Sequence, residues 1–137
     1  MDMKLVAQIQ LMPDAEQSKR FRETIERYNA ATNHVAGAAF EHRTANVFEL
    51  RKLCYAEVRA KFGLSSQMAQ LAIKSVCGAY KRDKSIRPKF RPHAAMPFDQ
   101  RTMSFKGIDR VSLLTLGGRI IVHFLVGAYG RERLALP

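Results

Sequence analysis

The alternation of hydrophobic and polar residues predicts a β-strand at the start of the chain. Between Lys4 and Leu11 apolar and polar side chains alternate, with Val6 as the exception, which is the period of a strand that buries one face. The pattern changes at Asp14, and Gln17 follows three residues later, which is the spacing of a capping box at a helix N-terminus. A helix is therefore predicted to begin here.

This first helix is predicted to continue to about Ala39, because its apolar positions keep three- and four-residue spacing. Residues 29–33 and Gly37 are the candidate positions for an interruption, because asparagines and a glycine fall inside the pattern there. The sequence thus leaves open whether this stretch is one helix or two.

Two further amphipathic helices are predicted in the middle of the chain. One runs from Asn46 to Lys61, and Gly63 suits a left-handed cap at its C-terminus. The next begins after Ser65 or Ser66, either of which can cap its N-terminus, and extends to Lys81. Residues 13–84 are therefore interpreted as a helical bundle.

The strand pattern returns near the end, where Gly117 and Gly118 separate two alternating segments in the manner of a two-residue hairpin. The predicted strands are Met103–Lys106, Arg110–Leu116 and Arg119–Val126. A lone N-terminal strand needs partners, and the candidates all follow Met103. The order predicts an α+β fold in which both chain ends meet in one sheet or small barrel and the helices form an insertion.

Charge changes this picture, because the chain of 137 residues carries a formal net charge of +11. Residues 1–73 have ten Lys and Arg against eight Asp and Glu, whereas residues 74–137 have thirteen against four. The densest part, residues 81–101, mixes seven cations with two phenylalanines and three prolines. Proline disfavours helix, so this part is predicted to be extended and to lie along a polyanion. A solvated charged loop is the alternative.

Catalytic motifs are absent from the sequence. It has no nucleotide-binding glycine motif, no HExxH and no GxSxG. Its four histidines lack ligand spacing, and Cys54 and Cys77 are expected to be buried thiols. We therefore expect no catalysis, no metal and no cofactor. No stretch is apolar enough for a membrane span or signal peptide, and a cytoplasmic protein without a membrane partner is expected, nucleoid-associated when bound to DNA.

The order of these parts, and several sequence strings, resemble the N-terminal portion of TnpB, the family of transposon-encoded RNA-guided nucleases related to type V CRISPR effectors. The resemblance begins at KLVAQIQLMPDAEQSKRFRETIERYNAATNHV and continues through AIKSVCGAYKR. It is most specific in RPKFRPHAAMPFDQRTMSF and in the hairpin VSLLTLGGRIIVHFLVGAYGRERL. It covers essentially the whole chain.

The resemblance implies a wedge domain, a small OB-like β-barrel built from residues 1–12 and 85–137, interrupted by a helical recognition domain at residues 13–84. It implies guide RNA and target DNA as partners. Gln70 falls where family members place a glutamine that reads the target-adjacent motif, and glutamine can make bidentate contacts to adenine. A solvent-facing Gln70 is the plain alternative. The family's nuclease domain would follow at the point where this sequence ends, so a separate nuclease subunit or a second copy is a further expected partner.

The residues predicted to contact nucleic acid are mostly cations of the third helix and of the extended segment. Phe90 is a candidate for stacking on a base, although packing in the wedge core is favoured. The predicted contacts are Arg43, Gln70, Lys74, Lys81, Arg82, Arg87, Lys89, Arg91, Arg101 and Thr102.

Three other functions remain open. A protein-only DNA-binding regulator would use the helices of residues 46–81 as a helix-turn-helix variant and would not require RNA. A basic scaffold protein of a ribonucleoprotein would bind RNA without specific DNA recognition. A split subunit would gain nuclease activity only from another chain.

Overall fold

A computed structural model describes residues 8–126 of the chain. One strand comes first, three helices follow it, and three strands complete the described part. The elements are β1 (Ile9–Met12), α1 (Ala15–His42), α2 (Val47–Phe62), α3 (Ser66–Arg82), β2 (Met103–Phe105), β3 (Arg110–Thr115) and β4 (Gly118–Val126). The α+β class predicted from the sequence is confirmed.

Side chains at the predicted positions cap the helices. The amide of Gln17 donates to Asp14 Oδ1 at 2.8 Å, and the amide of Asp14 donates to Gln17 Oε1 at 3.1 Å, so the capping box is confirmed. The side chains of Asn46 and Ser65 cap α2 and α3, and Gly63 adopts the left-handed conformation with φ of 66° after α2. These local contacts satisfy backbone groups that a helix end leaves unpaired.

The first helix is not interrupted, so of the two alternatives that the sequence left open the single helix is the one observed. α1 is continuous over 28 residues, through both the asparagines and Gly37. Asparagine usually disfavours a helix interior because its side chain competes for backbone hydrogen bonds. Here the side chains of Asn29 and Asn33 bond to another segment of the chain instead, so they do not compete with the backbone of α1.

The three helices pack on one another around a core of their buried faces. Tyr28, Leu50, Met68 and Ile73 are among its largest fully buried side chains. Cys54 and Cys77 are also buried and unpaired, as expected from the sequence. The core contains residues from all three helices, so the helices form one bundle.

The four strands form an antiparallel sheet in the order β1-β4-β3-β2. Ile9 pairs with Val126 and Met12 with His123, which confirms that the first strand finds its partner after Met103. All three helices therefore lie in sequence between two strands that are neighbours in space. Within residues 8–126 the sheet is open, with β1 and β2 at its edges, and a closed barrel stays a prediction.

The hairpin turn lies one residue earlier than predicted. Thr115 pairs with Gly118, so the two turn residues are Leu116 and Gly117, and Gly118 starts β4 with φ of 110°. The Thr115 hydroxyl donates to the Gly118 carbonyl at 2.6 Å and fixes this register. Glycine suits position 118 because a side chain would be strained at positive φ.

One face of the sheet is covered. Val111, Val122 and Phe124 are buried there, and Phe21 of α1 packs against them. The opposite face leaves Ile121 and Leu125 about half exposed. In the described part of the chain, no helix combines the length and apolar character that crossing a bilayer would require.

Candidate nucleic-acid interface

Residues 83–102, here called the linker, connect α3 to β2 without helix or strand, as the prolines predicted. Two asparagines of α1 hold the linker in place. The amide of Phe90 donates to Asn33 Oδ1 and Asn33 Nδ2 donates to the Phe90 carbonyl, both at 2.8 Å. Asn29 Nδ2 donates to the carbonyls of Pro92 and Ala94, both at 3.0 Å. The linker therefore has a defined path along α1.

Gly37 continues the same side of α1, four residues after Asn33. A Cβ atom at this position would lie 2.8 Å from Nη2 of Arg87, so the guanidinium rests directly against the helix backbone. Asn29, Asn33 and Gly37 thus form one stripe at four-residue spacing, which is one face of a helix. This stripe explains the residues that looked like helix breakers.

Three adjoining depressions, here called the linker groove, follow the linker. The first lies between α1 and α2 and has Arg87 in its wall together with His34 and Glu57. Arg87 also lines the second, with Pro88 and Lys89. The third is shared by Pro88, Lys89 and Arg82. Neighbouring depressions share lining residues, so the three follow one another from the α1–α2 cleft to the end of α3.

Phe90 packs against the core of the helices and not against that of the sheet, so the interpretation that placed it in the wedge core is wrong in its location. Its remaining surface lines the third depression of the linker groove. Ile86 lines the same depression and is 60% exposed, which is unusual for a large apolar side chain on so basic a segment. The third depression therefore combines apolar surface with the cations Arg82 and Lys89.

A fourth depression lies between α2 and α3. Gln70 and Lys74 of α3 line it, as do Phe48 and Arg51 of α2. Gln70 is half-buried, and its Nε2 donates to the Ser66 hydroxyl at 3.2 Å, which leaves its Oε1 free of that contact. An amide beside two cations is suited to reading a base edge and contacting the flanking phosphates.

Phe48 and Arg51 were missed by sequence reasoning. Phe48 is 72% exposed, although phenylalanine is usually buried. The signal was present in the sequence, because Phe48 lies off the buried stripe of Leu50, Cys54 and Val58. Phe48 and Arg51 therefore lie on the outer face of α2, three residues apart, where both border the fourth depression.

The structure leaves most of the predicted cations without a carboxylate partner. Residues 8–126 contain four ion pairs, made by Arg20, His34, His93 and Arg110. The exposed cations of α3 and the linker take part in none of these pairs. Apart from Lys84 and Arg101, they are Lys74, Lys81, Arg82, Arg87, Lys89 and Arg91. These six residues are here called the α3–linker cations, and their excess positive charge is available to an anionic partner.

The prediction that Thr102 contacts nucleic acid is wrong. Its side chain is fully buried and exchanges hydrogen bonds with Asp99, whose backbone amide donates to Thr102 Oγ1 at 2.9 Å. Asp99 Oδ1 also accepts from the amides of Arg101 and Thr102, and Oδ2 accepts from the Gln67 side chain. Thr102 is therefore part of a turn that joins α3 to β2.

Hydrogen bonds within the same turn lower the pKa of Asp99. Burial raises the pKa of this carboxyl, but the hydrogen bonds from Arg101, Gln67 and Thr102 together outweigh that effect. The pKa consequently lies below its ordinary value. The groups that donate hydrogen bonds to Asp99 thus favour its charged form.

Arg101 and Arg43 are exposed, and each side chain makes a contact within the protein. Arg101 Nη1 donates to Gln67 Oε1 at 3.3 Å, which ties its side chain to the start of α3. Arg43 follows α1 in the left-handed conformation, and its guanidinium lies 4.6 Å from the centre of the Phe40 ring. Neither residue lines the linker groove, so the structure does not bring them together with Arg87 and Lys89.

Arg119 was not singled out in the sequence. It lies on the more exposed sheet face, where Nη1 donates to the Ser112 hydroxyl at 3.0 Å and Nη2 donates to the Arg101 carbonyl. It therefore fixes the linker end against the sheet.

Across positions 8–126 there is no group of three or more His, Cys, Asp or Glu side chains that could hold a metal ion. Burial raises the pKa of both the Cys54 and the Cys77 thiols, which favours the unreactive protonated form.

Comparison with known proteins found no matching family model, no matching curated protein and no matching solved structure.

Proposed function

We propose that this chain is a nucleic-acid-binding module of an RNA-guided DNA-targeting protein like those of the TnpB family, which its sequence resembles. In this proposal the α3–linker cations hold the guide RNA and the target duplex. The sheet is the core of a wedge-type domain, and barrel closure is part of the proposal. The proposed activity is binding, and cleavage would come from a nuclease partner.

One observation carries the binding part of the proposal. Arg82, Arg87 and Lys89 line the linker groove and take part in none of the ion pairs found in residues 8–126. Glu41, Glu57 and Asp83 line it too, but they form no ion pair with these three cations, whose charge can therefore be taken up by a polyanion. Asn29 and Asn33 fix the groove before any partner binds, which lowers the entropy cost of binding.

Gln70 is proposed to read the motif beside the target. Its place beside Lys74 and Arg51 supports this role, because a base edge and the adjacent phosphates could be contacted together. Replacing Gln70 with Ala is expected to relax the preference at one base pair, while Lys74→Gln is expected to weaken binding to all sequences alike.

RNA that co-purifies with the protein tests the proposal. The chain is purified from its host after ultraviolet cross-linking, and the bound RNA is sequenced. We expect one defined RNA species with a constant scaffold and a variable guide. Random cellular RNA would favour a general ribonucleoprotein scaffold instead, and the absence of RNA would refute the proposal.

A protein-only DNA-binding regulator is the second candidate function. The three-residue connection from α2 to α3, residues 63–65, and the outward position of Lys74 favour it, since a helix-turn-helix motif has both features. The two functions differ in their need for RNA. Protein stripped of RNA by nuclease is expected to lose sequence-specific binding to duplex DNA, and retention of that specificity would support the regulator.

A further inference from the structure

The third depression of the linker groove combines large apolar side chains with cations beside them. Ile86, Pro88 and Phe90 supply apolar surface, while Arg82 extends from the end of α3 and Lys89 from the linker. The depression holds about 360 Å³, which lies within the size range of small-ligand sites. It is here called the α3-end pocket.

We propose that the α3-end pocket receives one unpaired base of a single-stranded nucleic-acid segment, with Arg82 and Lys89 on the flanking phosphates. This inference rests on the proposed function and names the strand type that one site would take. It commits to a single strand because a base within a duplex has both faces covered by its neighbours. An unstacked base can present a face to apolar side chains.

The residues of the pocket suit a nucleotide in three respects. Ile86 is 60% exposed and gains burial when a base covers it. Arg82 Nε donates to the Gly78 carbonyl at 3.3 Å, which orients the guanidinium while leaving its terminal nitrogens out of that bond. Asp83, the one carboxylate in the lining, can accept from the amino group of a base.

Asp83 is itself fixed within this site. Its Oδ1 accepts from the amide of Ser85 at 3.0 Å and from the Ser85 hydroxyl at 2.6 Å. These bonds lower the pKa of the Asp83 carboxyl, which therefore stays charged at neutral pH. A negative group at this position repels phosphate, so we expect the phosphates to lie on the side of Arg82 and Lys89.

The experiment compares two isoleucine variants with matched chemistry. Ile86→Ser removes the exposed apolar side chain from the pocket, and Ile108→Ser makes the same change at a 48% exposed position between β2 and β3. Binding of a labelled oligouridine, and of a blunt RNA duplex of equal length, is measured by fluorescence anisotropy across a salt series. Thermal unfolding confirms that both variants fold.

Ile86→Ser is expected to weaken oligouridine binding about fivefold without changing its salt dependence, because the lost contact is apolar. Duplex binding and the Ile108→Ser protein should be unaffected. Arg82→Gln and Lys89→Gln should each lower the slope of log affinity against log salt by about 0.7.

The outcomes separate this inference from the proposed function. If Ile86→Ser behaves like Ile108→Ser while the Arg82 and Lys89 variants lower the slope, the pocket does not take a base and the proposed function stands. If Ile86→Ser weakens duplex and single strand equally, the commitment to a single strand is wrong. If Ile86→Ser, Arg82→Gln and Lys89→Gln all leave binding unchanged, both proposals fail.

Discussion

The sheet and the linker groove both contain arginines, but they use them differently. On the sheet Arg119 bonds to Ser112 and to the Arg101 carbonyl, and Arg110 pairs with Asp109. Along the groove Arg87 and Lys89 make no side-chain hydrogen bond or ion pair within the described chain, and Arg82 makes one hydrogen bond, to the Gly78 carbonyl. Net charge alone therefore does not locate the contact surface. The cations that bond within the protein must first be excluded from the count.

The two regions also differ in how they are held. Hydrogen bonds between neighbouring strands fix the sheet. The linker has no such ladder and depends on the side chains of Asn29 and Asn33. A groove held by a few side chains can be disturbed without unfolding the molecule. Substitutions along the linker therefore test the difference between the two regions most easily.

Removing the Asn33 side chain is the largest expected perturbation. Asn33→Ala leaves the amide and carbonyl of Phe90 without their partner, and we expect a loss of about 2 kcal/mol in the free energy of unfolding. Urea unfolding measures this loss. RNA affinity should also fall, because the linker cations lose their fixed positions. Lys19→Ala, at an exposed site of the same helix, is the control, and an equal effect in both variants would contradict the account.

Neutralising two groove cations tests the comparison through binding. The double variant Arg82→Gln/Lys89→Gln is expected to lower affinity for single-stranded RNA about tenfold at moderate salt, and to lower the salt slope by about 1.4. The matched sheet-side variant is Lys106→Gln/Arg110→Gln, which changes the net charge equally. Anisotropy titrations compare the two. Equal losses would show that the charge acts without regard to position.

Substitution of two helical glycines tests, through protein stability, whether Arg87 rests against α1. At Gly78 of α3 a Cβ atom would meet nothing within 4 Å, so Gly78→Ala should raise stability by about 0.5–1 kcal/mol. At Gly37 the same change displaces the Arg87 guanidinium and should raise stability less. Thermal unfolding of both proteins measures the difference. Identical gains would mean that Arg87 does not rest against α1.

The smallest expected effect concerns the Asp99 turn. The pKa of Asp99 is lower in the folded protein, so its contribution to stability is present above the unfolded pKa of about 3.9 and is lost as pH falls through the folded value. Asp99→Asn should therefore lose less stability on acidification than the unmodified chain. Unfolding curves between neutral and acid pH test this, and parallel curves would contradict it.

The elements of the fold follow from local rules and were largely predictable. Capping at Asp14 and Gly63 and the proline content of the linker act over a few residues, and each was confirmed. Of the strand predicted over Lys4–Leu11, residues 4–7 lie outside the described part of the chain, and β1 is formed by Ile9–Met12 with Leu11 and Met12 exposed. The hairpin was placed within one residue. Its register depends on which residue pairs with Thr115, and the two adjacent glycines do not decide this.

Features that depend on distant contacts were not predictable. Asn29 and Asn33 looked like helix breakers because their partners lie about sixty residues away in the linker. Thr102 was predicted to contact nucleic acid, and its burial follows from the turn at Asp99, which local sequence does not reveal. Contacts of this kind are set by tertiary packing, which overrides local preference.

Lysine footprinting can show directly whether the α3–linker cations contact RNA. The protein is acetylated with and without bound RNA, and the modified lysines are quantified by mass spectrometry. The account predicts that RNA protects Lys74, Lys81 and Lys89, while Lys106 at the sheet end reacts equally in both states. Protection of Lys106 with undiminished reaction at Lys89 would contradict the assignment of the α3–linker cations as the nucleic-acid contact.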